Sequence, residues 1–563
     1  MDTIQGKLDN LYLTGHNPIE IQHKLPIEYV DHQELDKVIR DDLEIGTVNP
    51  LYRHLFSSSS SLMNKWCSLY TTDTSFLKQT QKCIHKYNSE EYLFDDFKTE
   101  YNRFRSETNF IDKYQFIGFK FLEYLNESGS FLHCLSLYNL TSPVFSLLSP
   151  LVMLLVPFMI LKLQKVPVTI TSYIEHLKIV LKNTSVYKLF FNLSSVSFQS
   201  RVSAFFSLFI YLLQVYQNII SCLSFYRNIN TIYKFIMDYK GHLKQSLLLI
   251  DRVVGNIQQY TSYHGFLQEL KLQKERIHIT LQKLNLVQTS DSIFVKIGQI
   301  GTMMKLYYEI FMKDEHHHLI SYTLFIHEFN RDILSIQSMV RNKKLRPCKY
   351  KKKTDMKNLY YLAHINESSV RNHVDLKDNI LISGPNASGK TTILKSVLLN
   401  VIMSQQFGYG CYEKASIRCY DNFHSYLNIP DTSGRDSLFQ AEARRCKEIL
   451  DCITNQPKNT HLCIFDEIYS GTNPNDAVTC AKFYLKELNN YKSKVDYLIT
   501  THYIELCEHF KNKPIVKNKK MSVKENKETI EYDYKMVEGI SYVNGGVFIL
   551  KQLGYPSYLY DSV

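Results

Sequence analysis

The chain has 563 residues, 44% hydrophobic and 21% charged, with a formal net charge of +11. Those proportions exclude a wholly disordered or fibrous chain and leave room for roughly two to four domains, each with its own core. The basic balance suits a polyanion, either nucleic acid or an anionic membrane face, and the charge alone does not choose between them.

Residues 1–45 mix charged side chains with Pro18 and Pro26 and are expected to form an extension with little core of its own. They contain no apolar stretch of the kind that marks a secretory signal. From about 46 the spacing of Leu51, Leu55, Leu62, Trp66 and Leu69 turns helical, and a helix-rich region is expected over 46–340. Two apolar stretches lie inside it. Residues 128–161 and 202–226 contain no Asp, Glu, Lys or Arg, and each exceeds the roughly 20 residues that a helix needs to cross a hydrocarbon layer. The connector 162–201 carries Lys162, Lys165, Lys178, Lys182, Lys188 and Arg201 against Glu175 alone. In a membrane hairpin it would face outward, against the positive-inside tendency. Pro143, Pro150 and Pro157 also interrupt the first stretch. The pattern admits a membrane-inserted hairpin or a pair of buried or interfacial helices.

Residues 228–340 return to helical period, with amphipathic helices expected around 247–250 and over 267–286. His316, His317 and His318, following Asp314 and Glu315, read as a surface turn. Eight of the thirteen residues in 341–353 are basic, so 341–356 is expected as a solvated linker or a phosphate-contacting patch. The twelve cysteines include no C-x-x-C pair. Cys446 and Cys452 read as isolated thiols in a reducing, intracellular setting, cytoplasmic or nuclear.

The chemistry concentrates after residue 357. Asn379-Ile380-Leu381-Ile382-Ser383 reads as a strand that runs into Gly384-Pro385-Asn386-Ala387-Ser388-Gly389-Lys390-Thr391, a complete G-x-x-x-x-G-K-[ST] motif. A helical run opening on Thr392 follows. The glycines let backbone N–H groups curl round phosphate oxygens at a helix N-terminus. Lys390 would reach the β- and γ-phosphates, and the Thr391 hydroxyl would ligate magnesium. Seventy-six residues beyond Lys390, the apolar run 461–465 ends in Asp466 and Glu467. Asp466 is placed for the magnesium shell, and Glu467 to orient or deprotonate an attacking water. A third strand, 497–501, ends at His502, where a histidine can bond a γ-phosphate or that water. The region 511–527 holds seven lysines and is expected as a mobile surface loop or a second phosphate-binding patch.

Gly-Pro-Asn ahead of Lys390, Asp-Glu-Ile followed by Ser470-Gly471-Thr472, and Thr501-His502-Tyr503 together resemble the ATPases of the MutS DNA mismatch-repair family. The segment 433–442 resembles that family's signature segment, whose serine reaches the nucleotide of the partner subunit. Ser437 matches the serine, with one extra residue between it and Arg435. An LSGGQ transporter signature is absent. Residues 534–541 and 553–556 resemble the family's last strand and helix start, and Asn372 matches a family asparagine at the nucleotide. The resemblance covers about 357–560. A weaker one, at 51–56 and Trp66, resembles the start of the helical core and lever region.

The resemblance implies an α/β P-loop NTPase domain of the ABC/MutS type with a mostly parallel sheet, preceded by a long, mainly α-helical core and lever region. It implies ATP and Mg2+ as cofactors. Residues 384–392 and Asn372 would hold the nucleotide, Thr391 and Asp466 the metal, and Lys390, Glu467, His502 and Ser437 would carry hydrolysis. It also implies double-stranded DNA, mismatched or branched, as partner, a mismatch repair-like role, and a homodimer or MutS-like partner chain. Two other readings stay open: a membrane-associated MutS-type ATPase, and an ATP-dependent structural clamp with little turnover.

The departures are specific. Mismatch sensors of the family carry an N-terminal domain with a Phe-x-Glu motif, whereas about 45 residues precede the core-like segment here and Phe121-Leu122-Glu123 lies in a helical stretch. Mismatch reading by that route is not expected. The family's adenine-stacking aromatic aligns near Ser369, which cannot stack. The two apolar stretches fall where levers and clamp would be.

Overall fold

The structure, a computed structural model, describes residues 23–45, 51–56, 61–165, 167, 169–183, 198–367, 369–427, 437–525, 530–543 and 555. The chain divides into two compact units. The first comprises Met1–Ile21, Leu93–Leu247 and Glu275–Thr323, and the second Gln22–Tyr92, Leu248–Lys274 and Leu324–Val563.

The first unit is helical where described. It holds helices Asp95–Arg105, Gly129–Leu163, Ile170–Asn183 and Ile300–Met312, and parts of Phe198–Ile257 and Asp314–Arg341. Its core is aromatic: Phe110 stacks on Phe311 with ring centroids 3.7 Å apart, and Phe104 on Phe235 at 4.4 Å. Flat rings bury a large area for few rotors, which suits closely packed helices. The three histidines open the helix Asp314–Arg341 instead of forming a surface turn. His316 and His317 are buried, and His317 is bonded to the Tyr101 hydroxyl and the Phe311 carbonyl, both at 2.8 Å.

Both apolar stretches are helical. Pro143, Pro150 and Pro157 lie within one continuous helix, Gly129–Leu163. Burial, one of the readings left open for these stretches, is not observed: from Val144 to Leu163 and from Phe198 to Leu223, most described large apolar side chains are exposed.

The second unit is built on two main sheets, with a two-stranded ribbon of Gln33–Glu34 and Leu69–Tyr70 besides. One runs, edge to edge, Ile530–Glu538, Val516–Glu525, Asn379–Ser383, Val495–Thr501, His461–Asp466, Asn422–Tyr426. All its neighbours pair in parallel except the first two, which form an antiparallel hairpin. Asn379–Ser383 is buried at every position, as a central parallel strand requires. The other sheet joins Asn372–Asp375, Asp355–Leu359, Lys414–Ile417, Arg346–Tyr350 and Tyr409–Gly410.

Three expectations change here. Residues 23–45 are not a coreless extension, because Leu25, Ile27, Leu35, Ile39, Leu43 and Ile45 are all buried and buried Asp42 accepts a bond from Ser425 of the large sheet. The basic run is not a linker: it contains the strand Arg346–Tyr350, and Lys353 pairs with buried Asp496 at 3.1 Å. Most of the lysine-rich segment is also a strand, Val516–Glu525, its alternate side chains tied to acids such as Asp378, Asp533 and Glu538. Charge runs read as solvated when strand partners distant in sequence are not visible.

The helix that follows the phosphate-loop motif, Lys390–Gln406, ends in two buried amides. Gln405 accepts from Tyr420 N at 2.8 Å and donates to Tyr420 O at 2.9 Å. Gln406 accepts from the Tyr52 hydroxyl at 2.6 Å and donates to Trp66 O at 2.9 Å. Gln406→Leu would strand a buried hydroxyl and a buried carbonyl, and is expected to lower stability by about 2 kcal/mol or more. Urea unfolding checks this, and an unchanged midpoint would refute the bridge.

Candidate functional site

The site lies at the carboxyl ends of the parallel strands, where open α/β sheets place ligands. Register brings the pieces together: Ser383 pairs with Thr501, and Asp466 with Thr500, so the phosphate loop, Asp466-Glu467 and His502 leave three adjacent strands at one edge. Ala387 at φ 60° and Gly389 at φ 92° turn the loop into the helix. A Cβ on Gly389 would stand 3.2 Å from the Tyr534 ring, so glycine answers both the left-handed backbone and the close approach.

Lys390 is buried, with 5% exposure. Its ammonium donates to the carbonyls of Gly384 at 3.0 Å and Pro385 at 3.2 Å, and lies 3.1 Å from His502 Nε2 and 3.4 Å from Glu467 Oε1. Burial lowers the Lys390 pKa, and the Glu467 carboxylate opposes that shift. Glu467 Oε1 meets His502 Nε2 at 2.6 Å. That hydrogen bond, helped by the Lys390 charge and opposed by burial, holds Glu467 below the usual carboxylate range. Glu467 sits at φ 51°, its N–H directed to the Thr500 hydroxyl at 3.1 Å. Thr391 Oγ1 donates to Asp466 Oδ2 at 2.6 Å, and the Thr500 hydroxyl holds the other carboxylate oxygen. A hydroxyl and a carboxylate oxygen side by side are a donor set that suits Mg2+, a hard cation that takes few protein ligands alongside phosphates.

These groups border a cavity of about 600 Å³, lined by Asn386–Ser396 residues of the loop and helix, Glu467, Asn372 and a cluster of side chains that the sequence did not flag: Tyr360, Tyr361, His364, Val370 and Tyr534. The volume falls in the range of small-molecule sites. Gly384 and Pro385 serve through their carbonyls on Lys390, and Ser388 Oγ braces the loop by donating to Pro385 O at 2.8 Å. Asn372 borders the cavity, but its amide donates to Tyr534 O at 3.0 Å and accepts from Met536 N at 2.7 Å. It positions Tyr534, a link invisible in sequence because 162 residues separate the two.

Ser437 is not beside Lys390. It caps the helix Leu438–Asn455 in a reciprocal box with Gln440, at 3.3 and 3.0 Å, and is exposed. Residues 428–436, which include most of the signature-like segment ahead of it, lie outside the described residues. Buried Glu442 of that helix accepts from Ser470 N, Ser470 Oγ and Gly471 N at 3.2, 2.8 and 3.1 Å. The Ser437 helix is thereby fastened to the loop that follows Glu467.

Cys452 is less isolated than its spacing indicates. Its sulfur lies within 4.8 Å of ring nitrogens of His424 and His461. The two rings bond at 3.0 Å, and His461 Nε2 also faces Gln456 O at 3.4 Å. A proton on His461 Nε2 leaves Nδ1 to accept from His424, which accounts for the pair as a neutral hydrogen-bonded couple.

Strand, loop, helix and acidic strand end stand in the order of a P-loop domain. Residues 380–562 match the family model for MutS domain V. DNA mismatch repair protein MutS of Flavobacterium johnsoniae is 31% identical over 178 residues, 31% of this chain and 20% of that protein. That of Christiangramia forsetii is 32% identical over 190 residues, 33% and 21% respectively, and that of Thermotoga maritima 32% over 178, 31% and 22%. The chain spans about a fifth of the length of these relatives.

Burial pushes the His424 pKa down to about 3, aided by His461 and Arg445. The folded value lies below the unfolded one, so the stabilisation is complete above about pH 6.5 and is lost as pH falls toward 3. At pH 5 the expected loss from this residue is on the order of 2 kcal/mol. Thermal melts at pH 7.5 and 5 should show it, with a shallower fall for His424→Phe; identical slopes would remove His424 as the cause.

Proposed function

We propose that the chain binds ATP with Mg2+ and hydrolyses it, and that a dimer of such chains couples the cycle to double-stranded DNA. The observation that carries this reading is the convergence of Lys390, Thr391, Asp466, Glu467 and His502 at one strand edge beside a cavity of about 600 Å³. In the proposed cycle Lys390 neutralises β- and γ-phosphate oxygens, exchanging its contact with Glu467 for them. Thr391 and Asp466 would hold the metal, which would supply charge neutralisation at the phosphates. Released from Lys390, Glu467 orients the attacking water and takes its proton, and His502 fixes the carboxylate. Loop residues 384–389 and Thr392 cradle the phosphates, while Tyr361 and Tyr534 offer the base the aromatic faces that Ser369 lacks.

The DNA and repair part of the proposal rests on the relatives' printed name, DNA mismatch repair protein MutS, and on the net charge of +11. Mismatched or branched duplexes are the proposed ligands, and an intracellular setting accords with the twelve free cysteines. Ser437, exposed at a helix N-terminus, is proposed to complete the site of a partner subunit. The Glu442 link would carry its engagement to Glu467.

Lys390→Ala is expected to abolish nucleotide binding. Glu467→Gln should bind within a few-fold of wild type yet turn over about 100-fold or more slower. Phosphate release and nucleotide titration check both, and equal turnover would dismiss Glu467 as the water-orienting group. Ser437→Ala should lower hydrolysis in the dimer; mixing it with Lys390→Ala should restore one working site, and absence of any rescue would count against a shared site.

A further inference from the structure

In the first unit, the helices Gly129–Leu163 and Phe198–Ile257 lie antiparallel over their apolar stretches, and polar groups meet along the seam. Asn218 donates to the Ser146 hydroxyl, the Tyr211 hydroxyl reaches Ser146 O at 3.3 Å, and Cys222 reaches Leu140 O at 3.3 Å. Apart from Val215, buried on the seam, most of the described apolar side chains of these stretches are exposed away from it. Val144, Phe145, Leu147, Leu148, Leu155 and Met159 on one helix are 43–61% exposed, and Phe205, Phe209, Leu212 and Ile220 on the other 48–61%. A water-soluble pair buries its apolar side chains and exposes its polar ones; this pair does the reverse.

Carried along both helices, the register of those contacts sets Tyr138 level with Tyr226 and Lys162 level with Arg201. The band between the two levels is about 24 residues long, or about 36 Å at the helical rise. That spans a hydrocarbon layer of about 30 Å, with tyrosines at one rim and cations at the other, as bilayer interfaces favour. Within the band, hydroxyls bond their own backbones: Ser146 to Ser142 O at 3.0 Å and Ser207 to Ser203 O at 2.9 Å. Gln214 and Gln217 are polar exceptions on the outer face. The exposed apolar residues of the first helix cover roughly 220° of its circumference at 3.6 residues per turn, wider than the stripe of about 100° that one partner face covers. A fluid apolar phase fits that arc better than a second copy does.

We propose that these two helices form a hairpin inserted into the hydrocarbon core of a lipid bilayer, Tyr138 and Tyr226 marking one interface and Lys162 and Arg201 the other.

The test uses the full chain and vesicles of phosphatidylcholine alone. Flotation with the vesicles in about 1 M salt, persisting after alkaline carbonate, is expected. Leu212→Trp should gain fluorescence that lipids brominated at mid-chain quench, whereas the buried native Trp66 should not respond. Leu148→Arg with Leu212→Arg should reduce the floated fraction at least fivefold, nucleotide binding reporting that the variant is folded. A chain that stays soluble and monodisperse, that forms a detergent-free oligomer without floating, or that floats only with anionic lipid at low salt overturns the proposal. Loss of ATPase activity with flotation intact would touch the previous reading and not this one.

Discussion

A lysine ammonium taken out of water must be surrounded by oxygen, because a buried unpaired charge costs several kcal/mol. Lys390 is met by two carbonyls of its own loop and by Glu467, and that requirement arranges much of the rest. The loop must curl back on itself, which places Ala387 and Gly389 at positive φ. Glu467 must leave its strand at the same height as the loop, which the parallel register with Val495–Thr501 secures. His502 leaves Val495–Thr501, the strand between those two, and closes on both.

The same helix is fixed at its other end by different means. Where Lys390 is held by charge, Gln405 and Gln406 are held by neutral amide bonds to Tyr420, Tyr52 and Trp66. Fully satisfied buried amides fix geometry without the desolvation cost of a charge. The helix Lys390–Gln406 is thereby held at both ends, by its own loop and Glu467 at one and by Tyr52, Trp66 and Tyr420 at the other. The Glu442 bonds to Ser470 and Gly471 form a second such connection, from the Glu467 loop to the helix capped by Ser437.

The helix pair of the first unit treats apolar surface in the opposite way to the large sheet of the second. The large sheet removes it from water, with Ile380, Leu381, Ile382, Leu462, Ile464, Leu498 and Ile499 all fully buried. The helix pair of the first unit exposes it and keeps polar groups along its seam. The hydrophobic effect makes the first arrangement stable in water and the second stable only where the surroundings are apolar. An ATP-driven cycle on one unit and a bilayer-seated hairpin on the other would make a membrane-bound form of the P-loop machine.

Sequence alone determined the parts of the site that are local. Gly384–Thr391 is contiguous, its flanking strand and helix carry their own periodicities, and Asp466-Glu467 and His502 each end an apolar run, so their places at strand ends could be read without knowing the fold. Helix content in 46–340 was legible for the same reason, since the 3.6-residue period is local. What lay between distant residues was not. Asn372 proved to hold Tyr534, residues 23–45 proved to carry core, and basic segments proved to be strands because Asp496, Asp378 and Asp533 pair with them from far along the chain. Composition likewise left the apolar stretches undecided between burial and membrane. Tertiary structure shows most of those side chains exposed, which composition could not tell, because a side chain's exposure depends on which other segment of the chain packs against it.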